Sequence, residues 1–113
     1  MKLRIVCAVA VMAATLAFSG LSFAAAANTE AAGLFKSKCS MCHGVDGKGY
    51  AAIHTPDFTS PKWQASITDE EIIHTITDGK KGTVMPAFGA KLKASQIQEL
   101  AHYLRSLNSA KKK

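Results

Sequence analysis

Two cysteines and a histidine have the spacing that attaches a c-type haem. Residues 39–43 read Cys-Ser-Met-Cys-His, with thiols at Cys39 and Cys42 and an imidazole at His43. Two thiols about one helical turn apart can add to the two vinyl groups on one edge of a porphyrin, and the adjacent histidine can then bind the iron. The motif therefore predicts one covalent haem c with iron, held by two thioethers, with His43 as the proximal ligand.

Two other kinds of paired-cysteine site fit the chain less well. A thioredoxin-like redox pair lies in a βαβ unit, and no strand-rich pattern surrounds this motif. A structural zinc site needs four ligands at paired spacings, and the third cysteine, Cys7, lies alone in the apolar N-terminal stretch. Neither alternative accounts for His43 directly after the second thiol.

Met85 is the candidate for the sixth iron ligand. Of the other three methionines, Met1 and Met12 lie in the N-terminal apolar stretch, and Met41 lies inside the motif, on too short a tether to reach the opposite haem face. Met85 precedes Pro86 in a glycine- and proline-containing segment that predicts an irregular loop. A thioether ligand favours ferrous iron and raises the reduction potential.

The distal position has alternatives. Met85 could simply fill apolar space, as a lone methionine does by default. His54 lies in a predicted loop and is the better rival, because His74 and His102 fall on predicted helices where solvent or packing neighbours are expected. A peroxidase or a gas sensor with an open sixth position is therefore an alternative function, with His54 as its loop candidate for a distal acid–base group.

The motif, the glycine-containing residues 44–49 after it and the pair Met85 and Pro86 resemble the small bacterial class I cytochromes c. The same core occurs in the haem-bearing subunits of cbb3-type terminal oxidases. The resemblance covers about residues 29–107. It implies an all-α cytochrome c fold, with three to four helices wrapped around one covalently bound haem.

Two further roles are implied by this resemblance. Pro56 matches the proline whose carbonyl oxygen accepts a hydrogen bond from the proximal histidine, so it would orient His43. Phe35 matches the aromatic residue of the N-terminal helix that packs on the C-terminal helix, near Tyr103. The family often has glycine four residues before that aromatic, whereas this chain has Ala31.

Trp63 and a pair of lysines each have two interpretations. The indole N–H of Trp63 could bind a haem propionate, or the ring could belong to the core with its N–H on a backbone carbonyl. Lys80 and Lys81 lie shortly before Met85 and should border the haem edge, where they could steer an acidic partner. A plain solvated turn explains the two lysines equally well.

The start of the chain indicates export. A basic beginning, an apolar stretch and a run of alanines at 24–27 predict a signal peptide over residues 1–24, cleaved between about 24 and 27. An uncleaved membrane anchor is the alternative. Residues 25–113 are then one monohaem cytochrome c domain in the periplasm, without membrane insertion after cleavage. With 14 lysines and arginines against 8 acids, the whole chain is basic, at +6.

Three helices carry capping signals. The first is predicted to run from about Thr29 or Glu30 to Cys39, with Asn28 or Thr29 as its N-cap. The second is predicted to begin at Thr68, where residues 68–71 form a capping box, and to end near Asp78. The third is predicted to begin at Ser95, with Gln98 completing a second box. Its buried face should contain the residues that recur at helical spacing, which are Ile97, Leu100, Ala101 and Leu104.

Together these features predict a periplasmic carrier of single electrons rather than an enzyme. Its expected partners are redox proteins with an acidic docking surface, and no nucleic-acid partner is expected. The alternative within the same chemistry is a haem c domain fixed in a respiratory or dehydrogenase complex.

Overall fold

The computed structural model describes residues 21–112, and within that range the chain is helical and contains no β-strand. The α-helices are α1 (Leu21–Leu34), α2 (Ser40–His43), α3 (Pro61–Ser66), α4 (Asp69–Asp78) and α5 (Ala94–Ser106). A π-helical turn over Phe35–Cys39 joins α1 to α2 into one continuous rod, so the described residues form four helical units. Short 3-10 turns lie at Ala51–Ile53 and Ser109–Lys112. The predicted all-α architecture of three to four helices is confirmed.

The described part of the N-terminal region begins with α1. Residues 1–20 of the predicted signal peptide lie outside the described residues, and residues 21–24 form the start of α1. Between residues 21 and 112, no helix combines the length and the apolar character needed to cross a membrane.

The first helix begins earlier than predicted. It already includes Leu21, whereas the capping signals pointed to about Thr29. Alanine has the highest helix propensity of all residues, and Ala24 to Ala27 continue the helix upstream. The Thr29 hydroxyl donates to the carbonyl of Ala25 at 2.9 Å, so it bonds back within the helix instead of capping it.

The capping box predicted for α4 is present. The Thr68 hydroxyl accepts from the Glu71 N–H at 3.2 Å, and the Glu71 carboxylate accepts from the Thr68 N–H at 2.8 Å. Gly79 ends the helix with its φ at +73°, a left-handed conformation that suits glycine. Both ends of α4 are therefore set by local sequence.

The last helix begins one residue before the predicted position, and its cap is different. The side chain of Gln96 accepts from the N–H of Lys93 at 2.9 Å, and Ala94 is the first helical residue. The predicted box of Ser95 and Gln98 is wrong, because the glutamine two residues earlier already satisfies the first exposed N–H. The predicted buried face of α5 is confirmed in full by Ile97, Leu100, Ala101 and Leu104.

Helix α3 was not predicted from the sequence. Ser60 is its N-cap, with its hydroxyl accepting from the backbone N–H of Trp63 at 3.5 Å, and Pro61 is its first residue. Serine followed by proline is a common helix start, because proline lacks the N–H that would have no partner there. Ser60 followed by Pro61 is therefore the sequence signal from which the start of α3 could be predicted.

The N- and C-terminal helices pack against each other through small and aromatic side chains. Ala31 is 1% exposed and Ala101 is 0% exposed, so alanine at the position of the family's glycine is accommodated in the core. The rings of Phe35 and Tyr103 lie 5.4 Å apart between centroids, which confirms the predicted contact. This crossing anchors the helix that carries the motif.

Candidate haem site

The two thiols lie on the helical rod that the crossing anchors. Cys39 is half-buried at the end of the π turn and packs against the core, while Cys42 in α2 is exposed. No disulfide joins them. Burial raises the pKa of Cys39 to about 11, against the opposing charge of Lys38, so this thiol is neutral at ordinary pH.

The π turn over Phe35–Cys39 lies between α1, which packs on α5, and the rest of the motif in α2. The N–H of Ser40 donates to the carbonyl of Phe35, five residues back, which widens this turn by one residue. Single π turns inside α-helices occur frequently at functional sites. Here the turn begins at the buried Phe35 and ends at Cys39, the first thiol of the motif.

The backbone at His43 is held by the glycine-rich turn that follows it. Gly44 caps α2 with its φ at +77° and donates to the carbonyl of Ser40 at 2.8 Å. The N–H of Gly49 donates to the carbonyl of His43, also at 2.8 Å. The turn therefore closes back on the residue that carries the imidazole.

The imidazole of His43 lies in a largely apolar environment. It is half-buried, and its ring stacks on Phe58 with centroids 4.8 Å apart and an interplanar angle of 24°. Burial lowers the pKa of His43, which favours the neutral form that binds metals. Its Nδ1 is buried and has no hydrogen-bond partner among the described residues.

Pro56 lies against the same turn without bonding to the imidazole. A Cβ atom on Gly49 would stand 2.5 Å from the Pro56 carbonyl oxygen and 2.6 Å from that of Thr55, so only glycine permits this close approach. Because Nδ1 of His43 has no hydrogen-bond partner in the part of the chain that the structure describes, the bond expected from it to Pro56 stays a prediction.

Both backbone groups of Met85, the N–H and the carbonyl, make hydrogen bonds. Its N–H donates to the Thr83 hydroxyl at 3.2 Å, and its carbonyl accepts from the Lys80 N–H at 3.3 Å. The side chain is half-buried and packs against the core, whereas the preceding Val84 is 83% exposed. The irregular loop predicted around Met85 is present and turns this thioether, and not its apolar neighbour, toward the interior.

Trp63 lies beside Phe58, the aromatic residue that stacks on the His43 imidazole. Its ring centroid is 4.7 Å from that of Phe58. Within residues 24–112 its indole N–H donates no hydrogen bond, so the backbone carbonyl considered as its partner is not observed, and the propionate role stays a prediction. An open cleft of about 520 Å³ between α3 and α4 is lined by Trp63 but by none of the other predicted site residues.

His54 lies on the loop that follows His43. It is exposed, and it occupies the left-handed conformation with its φ at +56°. Its loop is closed by hydrogen bonds between Tyr50 and Thr55, including a contact of 2.7 Å from the Tyr50 N–H to the Thr55 hydroxyl. This rival for the distal role therefore lies in a short loop closed on itself between Tyr50 and Thr55.

Sequence reasoning missed three residues of this region. They are Phe58, which stacks on His43, and the pair Gln64 and Arg105, which holds the backbone near it. No local pattern indicates the last two, because they lie 41 positions apart in the chain.

The donor set fits a haem c. Cys39 and Cys42 would form the thioethers, His43 supplies a neutral imidazole, and Met85 offers a thioether held at the core surface. The buried Nδ1 of His43 is the position at which a ligating histidine usually donates to a carbonyl or carboxylate.

The sequence profile of the family described as "Cytochrome C oxidase, cbb3-type, subunit III" matches residues 26–104. The chain belongs to this family. It is similar to the cbb3-type cytochrome c oxidase subunit FixP of Bradyrhizobium sp. (strain ORS 278), with 35% identity over 78 residues, and to subunit CcoP of Cereibacter sphaeroides, with 33% over 92 residues. These alignments cover 69% and 81% of the chain, but only 27% and 31% of the two subunits.

Solved structures of c-type cytochromes share the fold. The KustC0563 c-type cytochrome superposes with a TM-score of 0.64 at 30% identity, over 69% of this chain and 96% of that one. Cytochrome cL from Hyphomicrobium denitrificans has a TM-score of 0.62 at 23% identity, over 75% of this chain and 49% of that one. The protein is thus an electron-carrying c-type cytochrome, with covalently bound haem c and its iron.

Proposed function

We propose that this cytochrome is exported to the periplasm, loses residues 1–24 as a signal peptide, and carries single electrons between redox proteins. In this proposal Cys39 and Cys42 form the thioethers, His43 is the proximal ligand and Met85 the distal one. The carrier has no catalytic role of its own. The single observation that supports His/Met ligation most directly is the inward-facing side chain of Met85, whose backbone N–H and carbonyl are both hydrogen-bonded.

The chain's own residues would keep the iron ligands in place during electron transfer. When bound, the haem supplies an iron that alternates between the ferric and ferrous states. His43 is held by the turn that ends at Gly49, and Met85 by its contacts with Lys80 and Thr83. Because both ligands come from hydrogen-bonded segments, little movement is needed when the charge of the iron changes.

The aromatic residues beside His43 would also limit the access of water to the haem face that His43 binds. Phe58 is buried and stacks on the imidazole, and Trp63 packs beside it. In the proposal the Trp63 indole N–H serves a haem propionate and the Pro56 carbonyl receives the Nδ1 proton of His43. Both groups have the chemistry for these roles.

For the redox partner we propose a protein with an acidic docking surface. Lys80 and Lys81 are exposed on the loop that holds Met85 and would present positive charge at the haem edge. Opposite charges across such an interface speed the diffusional encounter.

The distal assignment is tested by comparing two methionine variants. Met85→Ala should give a centre that binds added imidazole or carbon monoxide readily, with a lower reduction potential and no sulfur-to-iron charge-transfer band in the near infrared. Met41→Ala is the matched control, because Met41 is 89% exposed within the attachment motif. An unchanged spectrum and potential in Met85→Ala would transfer the role to another residue, with His54 as the first to examine.

A second candidate function is a haem c domain fixed in a larger respiratory complex. It is favoured by the relatives, which are subunits of cbb3-type oxidases several times longer than the aligned region. Purification from the native membrane fraction separates the two proposals. Co-purification with an oxidase or dehydrogenase that survives high salt would support a fixed subunit, whereas release into the periplasmic fraction supports the carrier.

A further inference from the structure

Gln64 is the buried polar side chain among residues 24–112, at 9% exposure. Burying an amide is costly unless its donors and acceptor find partners. Here all of them do. Nε2 donates to the carbonyls of Phe58 at 2.7 Å and Leu104 at 2.8 Å, and Oε1 accepts from Arg105 at 3.2 Å.

These partners fix the direction of the amide. With the oxygen and nitrogen exchanged, the oxygen would face two carbonyl oxygens and the NH₂ group would face the guanidinium of Arg105, so every contact would become repulsive. Arg105 reinforces the arrangement, because it also donates to the backbone carbonyls of Gln64 at 2.7 Å and Ile67 at 2.6 Å, and to the carboxylate of Asp69 at 2.6 Å.

The clasp formed by Gln64 and Arg105 ends at the residue that touches the proximal imidazole. Phe58 lies in a loop, and its carbonyl is held by Gln64 while its N–H donates to Gly47 at 2.8 Å. Both of its backbone groups are therefore occupied, and its ring stacks on His43. A side chain that only filled the core would not need to hold a loop carbonyl in this way.

We infer that Gln64 is a positioning residue for the proximal ligand, acting through the backbone of Phe58 and the stack of its ring on His43. The inference rests on the proposed function, in which His43 binds the iron. The orientation of the imidazole plane influences the electronic structure of the iron, so this clasp would tune the haem indirectly, through Phe58 and His43.

The test uses the mature haem-loaded protein and three variants. Gln64→Met keeps the approximate volume but removes the amide, and Phe58→Leu removes the ring but keeps the clasp. Gln96→Met is the matched control, because the Gln96 side chain also makes hydrogen bonds, one with Lys93 and one with Glu30, and neither of these bonds involves Phe58 or His43. The haem-methyl and imidazole resonances of the ferric protein, shifted by the unpaired electron, report the ligand plane, and the reduction potential is measured alongside.

Gln64→Met and Phe58→Leu should each rearrange the shifted haem-methyl resonances and move the potential, while Gln96→Met leaves both at the wild-type values. The double variant at 64 and 58 should match Phe58→Leu alone, because the two residues act along one path. Additive shifts in the double variant, or wild-type resonances in folded Gln64→Met, would overturn the inference. If Gln64→Met does not fold, the inference is tested with Phe58→Leu. A wild-type spectrum in that variant rejects the role of the stack of Phe58 on His43.

The wild-type spectrum separates this inference from the proposed function. If shifted resonances from the His43 ring are absent in the wild type, His43 is not the ligand and the proposed function fails. If they are present but do not respond to the changes at 64 and 58, only the positioning role fails.

Discussion

A Cβ atom on Gly79 would stand 2.8 Å from the carbonyl oxygen of Met85. The same atom would lie 3.0 Å from the Ala87 nitrogen, and the φ of Gly79 is +73°. The end of α4 and the loop that carries Met85 are therefore packed backbone against backbone. Phe88 and Gly89 extend this contact, because their N–H groups donate to carbonyls in the last turn of α4.

Gly79→Ala should displace the Met85 loop. The new methyl group meets backbone atoms that cannot move independently, and the left-handed conformation adds a strain of about 1–3 kcal/mol. We expect a lower denaturation midpoint and a weaker iron–thioether bond, seen as readier binding of added imidazole. Gly82→Ala is the control, since Gly82 has a φ of +75° but no atom within 4 Å of the position that a Cβ would occupy. Equal imidazole binding in the two variants would contradict the role of this close approach.

His54→Gly should stabilise the protein without changing the haem spectrum. His54 holds a left-handed φ of +56°, which glycine adopts without steric cost, although glycine also loses about 0.5–1 kcal/mol of backbone entropy on folding. The net gain is expected to be at most about 1 kcal/mol, which corresponds to a rise of roughly 4–8 °C in Tm for a domain of this size. Thermal unfolding and the visible spectrum check this, and a changed low-spin spectrum would identify His54 as a ligand.

Reversing the charge of Lys80 and Lys81 to glutamate should slow electron transfer to an acidic partner at low salt. Most of this effect should disappear at high ionic strength, because surface charges more than about 10 Å apart are screened near 0.1 M salt. Stopped-flow kinetics with the physiological partner measure it. The same reversal at Lys111 and Lys112, in the exposed C-terminal tail, is the control for net charge. A wild-type rate for the loop variant in dilute buffer would exclude this docking face.

Features set by neighbouring residues were predicted from the sequence, whereas features set by distant residues were not. The cap of α4 needs only Thr68 and Glu71, three positions apart, and the buried face of α5 follows from helical spacing. The start of α1 was misplaced because helix propensity upstream outweighed a capping signal at Thr29. These errors shift boundaries and leave the site unchanged.

The candidate site shows the same division. The thiols and His43 could be predicted because their chemistry demands adjacent positions. The contact of Phe58 with His43 joins residues 15 positions apart across a loop, and Gln64 meets Arg105 over 41 positions, so neither appears in any local pattern. Propensity and periodicity report nothing about such contacts, which exist only after the helices have packed.

The most direct measurement is the intact mass of the mature protein, expressed in cells that carry out cytochrome c maturation. The account predicts the mass of the polypeptide plus one haem, retained after acid denaturation because two thioethers hold it. Cys39→Ser and Cys42→Ser should each weaken attachment, and the double variant should carry no covalent haem. A wild-type mass equal to that of the polypeptide alone would contradict the assignment of this motif, and with it the proposed function.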